Sequence, residues 1–227
     1  MELLAPAGGR SQLEAALRFG ADAVYLACDR FGMRQRAENF ALADIPDAVR
    51  LAHDAGAAVH VTLNTLMDAD DIDALPGYLE ALADAGVDAF IVQDIGLAAA
   101  LREMLPQARL HISTQMNTHN IAGIEAAARL GASRVTLARE LSLGEIELLS
   151  SEARARGMEV ETFAHGALCV CYSGQCFMSS LIGGRSANRG MCAQACRLPY
   201  ELHAAGEGAL PAPGEHLLSP RDLCSID

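Results

Sequence analysis

Short apolar runs alternate along this chain with longer stretches of helical periodicity. The runs are Leu3–Ala5, Ala23–Ala27, Ala58–Asn64, Ala89–Gln93, Leu110–Thr114, Arg134–Ala138 and Met158–Phe163. Each has the length of a strand, and helical pattern separates each from the next. That arrangement predicts parallel βαβ units. The intervening stretches are rich in Ala and Leu and end at Gly20, Gly56, Gly86 and Gly131, where a helix terminus wants a left-handed residue. Gly-Ala or Gly-Val pairs lead from these helices into the next run, a unit that recurs about every 25–35 residues. Ser11 and Glu14 form an S-x-x-E pattern that predicts a capping box on the first helix. Asp94 and Ser142 are placed to cap later helices.

Seven such strands fit a TIM-like barrel better than a dinucleotide-binding sheet. The latter needs G-x-G-x-x-G after its first strand, whereas the loop here reads Ala5-Pro6-Ala7-Gly8-Gly9-Arg10. A TIM barrel takes about 250 residues and eight strands. The predicted fold is therefore an incomplete TIM-like α/β barrel with seven recognisable strands. Barrel units occupy 1–166, a Cys-rich irregular segment 167–198, and a hairpin with the start of a truncated C-terminal part 199–227. The hairpin would pair Pro199–His203 with His216–Ser219. Two sheet edges, Leu3–Ala5 and Val160–Phe163, are expected to stand without partners.

Composition agrees with a helix-covered sheet: 51% of the 227 residues are apolar and there is no Trp. No run approaches the roughly 20 apolar residues of a membrane helix. The start Met1-Glu2-Leu3-Leu4-Ala5-Pro6 lacks the basic and apolar regions of a signal peptide, so a cytoplasmic protein is expected. The net charge of −12 opposes nonspecific binding of polyanions.

Barrel chemistry is placed at the C-terminal ends of the strands. The polar residues there are Tyr25, Asn64, Gln93 with Asp94, Ser113 with Gln115 and Asn117, Arg139 with Glu140, and His165. Helix capping is the alternative role for several of them. Arg34, Arg36 and Arg139 have the chemistry to grip a carboxylate bidentately, with surface ion pairs as the alternative for the first two. Of seven cysteines only Cys28 lies outside positions 169–224, which suggests metal or redox chemistry more than disulfides. Thiolates suit iron–sulfur clusters or zinc, and a [4Fe–4S] cluster needs four. The C-x-x-C pairs of a zinc ribbon are missing. Cys28 and Cys171 read as packed thiols. Peptidase chemistry finds neither H-E-x-x-H nor G-x-S-x-G, only a possible Cys169–His165 pair.

The run E-T-F-A-H-G-A-L-C-V-C-Y-S-G-Q-C-F-M-S, Glu161 to Ser179, resembles the signature of peptidase family U32. L-L-A-P-A-G, G-A-D-A-V-Y, S-T-Q-M-N, R-E-L-S, N-R-G-M-C-A-Q-A-C-R and L-S-P-R-D-L-C resemble the family too, over essentially the whole chain. The resemblance implies a collagenase-like peptidase or an enzyme of oxygen-independent, prephenate-dependent hydroxylation, acting on a tRNA uridine, an rRNA cytidine or ubiquinone precursors. The wording is most similar to the rRNA cytidine branch. It also implies a [4Fe–4S] cluster on Cys169, Cys176, Cys192 and Cys224, with Cys196 in reserve. Under that reading His165, Arg139, Arg34, Gln115 and Asn64 are the catalytic candidates. Prephenate is the small acidic co-substrate, and Arg185, Arg189 and Arg197 form a basic patch for RNA. Zinc in place of the cluster, and a non-catalytic scaffold, are the alternatives. The family continues with a last barrel strand of the type L-K-I-E-G-R, which implies that this chain is part of a longer protein.

Overall fold

The computed structural model describes residues 1–34, 38–200, 218, 219, 223 and 224, the last two by their backbone. Seven parallel strands follow one another in chain order: β1 (Leu4–Ala7), β2 (Ala23–Leu26), β3 (Ala58–Leu63), β4 (Ala89–Val92), β5 (Arg109–Ile112), β6 (Arg134–Thr136) and β7 (Glu159–Glu161). They curl into an open barrel. All seven predicted strands are present, β7 stopping before the expected Phe163. The helices α1 (Arg10–Arg18), α2 (Ile45–Asp54), α3 (Ala69–Asp73), α4 (Leu75–Asp84), α5 (Ile95–Met104), α6 (Ile121–Arg129) and α7 (Leu143–Ala155) connect them. Among the described residues β1 and β7 do not pair, and neither has a partner strand at its outer edge.

Alternation along the strands explains the layers. Val24 and Leu26, Val59 and Val61, Phe90 and Val92, Leu110 and Ile112, and Val135 face outward and are buried against Leu13, Ile45, Leu79, Leu101 and Leu149 of the helices. Each such side chain contributes about 1.5–3 kcal/mol by leaving water. Asp94 caps α5, accepting from the Leu97 N–H at 3.0 Å. Ser142 and Glu145 form a reciprocal capping box on α7. The box expected at Ser11 is absent. Helix α1 begins two residues earlier, at Arg10 with Gly9 in place of Ser11 as the cap, so Ser11 lies inside the first turn and Glu14 pairs with Arg10 at 2.7 Å.

The inner face is unusually polar for a barrel, where branched apolar residues normally dominate. Arg134 on β6, almost wholly buried, reaches across the open side to Glu2 with two bonds of 2.5 and 3.0 Å. Its Nε also donates to Glu159 at 2.9 Å, and Glu161 lies 3.7 Å away. The bond from Arg134 holds the Glu2 carboxyl below the usual carboxylate range. One guanidinium thus ties the start of β1 to β6 and β7, where no strand does. His60 and His111 meet edge to face with ring centroids 4.7 Å apart. Both are essentially inaccessible to water, and burial, with positive charge from Arg134, pushes them down to about 4 and about 2.

Of the last segment, β8 (His165–Gly166) pairs antiparallel with β9 (Leu223–Cys224), His165 opposite Cys224. The expected hairpin falls largely on residues 201–217, outside the described residues.

Candidate active site

The Cys-rich segment forms a cap seated on the C-terminal ends of the strands. Beyond β3, Leu66 N–H donates to the Asn188 carbonyl at 2.9 Å, and Arg189 pairs with Asp68 and Asp71 of the α3 capping box. Beyond β2, Arg34 forms a backbone bridge with Met191. Beyond β5 and β6 the anchor is Ser173, completely buried. Its N–H donates to Glu140 Oε1 at 2.8 Å, and its hydroxyl lies 3.1 Å from Arg139 Nε and 3.5 Å from Thr114 Oγ1. A short helix, α8 (Met178–Gly183), completes the cap, with Ser179 Oγ accepting from Ala193 N–H.

Gly174 shows how close the cap lies to the barrel. Its φ is +72°, and a Cβ there would sit 1.9 Å from the Gln115 carbonyl oxygen. Gly174→Ala therefore combines left-handed strain with a backbone clash, an expected cost of about 2 kcal/mol. The cost falls on the cap. Limited proteolysis should cut 166–197 faster in the variant while the barrel's melting temperature stays within a few degrees. Unchanged cleavage would mean that the seat is not needed.

The candidate residues separate into groups. Arg139 is not free to grip a substrate carboxylate, because its Nε bonds Ser173 and its Nη2 bonds the Cys171 carbonyl at 3.3 Å. It is a positioning residue for the thiol loop. Asn64 Oδ1 accepts from the Met33 N–H at 3.0 Å and fixes the loop beyond β2. Gln115 meets the cap through its carbonyl. Arg34 stays exposed at the barrel mouth, close enough to act electrostatically on Tyr25. His165 is exposed in the β8–β9 ribbon. Arg36 lies outside the described residues. Of the proposed basic patch, Arg189 is committed to α3.

The thiols converge on Cys171, which was expected only to pack. Burial, and a bond to Cys176, push it up to about 11, and Cys169 and Cys196 lie close enough to act on it. Cys192 is half-buried on the same cap, and the Cys224 backbone reaches the cap's base through His165. No set of three metal donors is assembled among the described residues. Soft donors from one segment nevertheless suit an iron–sulfur group in kind. Cys28 is fully buried behind β2 and raised to about 11 by burial, an inert packed thiol as expected.

The model of peptidase family U32 matches residues 8–227. The chain belongs to that family. A 23S rRNA 5-hydroxycytidine synthase of Escherichia coli is 42% identical over 222 residues, covering 98% of this chain and 33% of the relative. The tRNA hydroxylation protein P1 of Bacillus subtilis is 38% identical over 231 residues, covering 100% of this chain and 54% of the relative. The chain thus spans from a third to about half the length of these relatives. A solved U32 peptidase structure superposes with a TM-score of 0.60 at 20% identity, over 71% of this chain and 68% of the other, which supports the U32 barrel fold. The run Glu161 to Ser179 leads from β7 through the first part of the Cys-rich cap into α8.

Proposed function

We propose that this U32 chain serves in the cytoplasm as the barrel part of an enzyme hydroxylating a pyrimidine of tRNA or rRNA, with prephenate as co-substrate. The observation that carries this reading is the thiol-rich cap lying across the strand ends, where barrel enzymes keep their chemistry. The relatives named for tRNA and rRNA hydroxylation support it. The cap's surface supports an RNA partner despite the acidic whole. Tyr172 and Phe177 are 72% and 64% exposed there, in a chain with only ten aromatic residues, four Tyr and six Phe. Exposed rings offer stacking platforms for unpaired bases, and Arg185 lies on the same segment.

A [4Fe–4S] cluster would be held by Cys169, Cys176, Cys192 and Cys224, with Cys196 as substitute. Bound there, it supplies electron transfer. The chain's own groups position it: Ser173 and Arg139 hold the loop between Cys169 and Cys176, and Arg34 is the cation for the acidic co-substrate. Anaerobically purified protein should carry iron and sulfide and absorb near roughly 400 nm. Replacing any one of the four cysteines by Ala should cut iron content at least by half. Stoichiometric zinc without sulfide would refute the cluster. Loss of the hydroxylated nucleoside from RNA of a deletion strain, read by mass spectrometry, tests the activity, and an unchanged nucleoside profile would refute it.

A further inference from the structure

One residue beyond the outward-facing row Val92–Ile112–Val135–Val160, the strands turn Gln93, Ser113, Thr136 and Glu161 toward the barrel interior. These four adjacent strand ends carry one continuous polar row beneath the cap. Its middle is satisfied: Ser113 Oγ accepts from Gln115 N–H at 3.2 Å, and Thr136 Oγ1 donates to Glu161 Oε1 at 3.0 Å. Its two ends are not. Gln93, only 6% exposed, has no hydrogen-bond partner for Oε1, and Glu161 Oε2 has none either, its nearest donor being the Arg134 guanidinium 3.7 Å away. A buried acceptor without a donor is costly and rare in a folded protein. Two of them on one row call for a guest that brings N–H groups.

The guest's charge follows from the surroundings. Glu2, Glu159 and Glu161 face the interior with Arg134, which they already engage. Among the described residues Arg109 is engaged as well, 3.6 Å from Glu159, so an anion entering there meets carboxylates, and the cation left to it is Arg34 at the mouth, which acts on Tyr25. Tyr25, inward on β2, is half-buried, as is Glu161, so the row is open to solvent on that side. Its hydroxyl and ring supply a further polar contact and a flat face.

We propose that Gln93 and Glu161, with Tyr25, form a pocket in the barrel interior that takes a neutral, N–H-bearing heterocycle, namely an extruded pyrimidine base, while the acidic co-substrate binds outside it. The choice of pyrimidine rests on the RNA-hydroxylation reading. The demand for a neutral donor rests on the row alone. Enzymes acting on a base take it out of the stack and read its pairing edge. Cytosine offers its N4 amino group and uracil its N3–H to the two acceptors.

The test is equilibrium dialysis of the protein against uridine, cytidine, N3-methyluridine and N4,N4-dimethylcytidine. Uridine or cytidine should bind, and its methylated counterpart, lacking the N–H, should bind at least tenfold more weakly. Gln93→Leu and Glu161→Gln should each lose at least tenfold while their circular dichroism and iron content stay those of the wild type. Prephenate at saturation should leave nucleoside binding unchanged. The pocket is overturned if neither nucleoside binds, if methylation makes no difference to the wild-type protein, or if prephenate competes. The methylated probes decide the matter without any variant having to fold. Failure of the pocket and failure of the activity are separable. Hydroxylation in cells that survives Gln93→Leu removes the pocket alone. Selective nucleoside binding by a chain whose deletion leaves RNA unmodified nowhere removes the activity and keeps the pocket.

Discussion

Arg134→Met should destabilise the barrel by about 3–5 kcal/mol, the range for removing one partner of a buried ionic group. The guanidinium is almost wholly buried, and its bonds to Glu2 and Glu159 hold its pKa above the ordinary arginine value despite the burial that opposes it. Methionine keeps the volume, leaves Glu2 and Glu161 without their cation and leaves Glu159 only Arg109, 3.6 Å away. The loss concentrates at this side, because Arg134 joins the start of β1 to β7, between which no backbone ladder runs among the described residues. Urea unfolding at neutral pH measures it. Adding Glu2→Gln to Arg134→Met should recover part of the loss. A single variant within 1 kcal/mol of the wild type would show that the staple is ornamental.

Acidification from pH 7 to pH 5 should cost a further, separate loss of roughly 3–4 kcal/mol through His60 and His111. Both stay neutral when folded, at about 4 and about 2, against 6.5 in the unfolded chain. The unfolded state therefore binds two protons that the native state refuses. Their stabilisation is fully present above pH 6.5 and falls as pH drops toward the folded values. Glu161 works in the opposite sense. Burial raises it, so its protonation favours the folded state and softens the loss below neutrality. Unfolding free energies at pH 7, 6 and 5 should show the slope, and His60→Gln with His111→Gln should flatten it. A wild-type stability independent of pH over this window would exclude a neutral pair. The two effects are linked, since Arg134 is among the charges that keep both rings neutral.

The strands and most helix boundaries were legible because their signals are local. Apolar runs seven residues long or less, the glycines at 20, 56, 86 and 131, all found at positive φ, and the caps at Asp94 and Ser142 need no tertiary context. Ser11 misled because the pattern S-x-x-E does not fix the first turn. Arg139 misled for a different reason. A strand-end arginine suggests a substrate clamp, and only the fold shows Ser173 arriving from 34 residues away to occupy it. The interior residues carry a local signal too. Val59-His60-Val61-Thr62-Leu63 and Leu110-His111-Ile112 alternate strictly, which puts the imidazoles on the face opposite the helices. That pattern locates them inside the barrel without saying that they meet.

The manner in which the cap is fastened also sets a timetable for making the protein. Ser173 waits on Thr114, 59 residues earlier, and Arg189 on Asp68, 121 residues earlier. Closing such long loops is slow, and it comes after the local βα contacts have formed. The cap is thus expected to settle late, together with the Glu2–Arg134 tie whose ends lie 132 residues apart, and its cysteines to gather on a barrel already built from β2 to β6. Any cargo delivered to those thiols meets a folded acceptor, so delivery is a late maturation step, and pulse-labelled hydrogen exchange during refolding should find the cap amides protected after those of the strands.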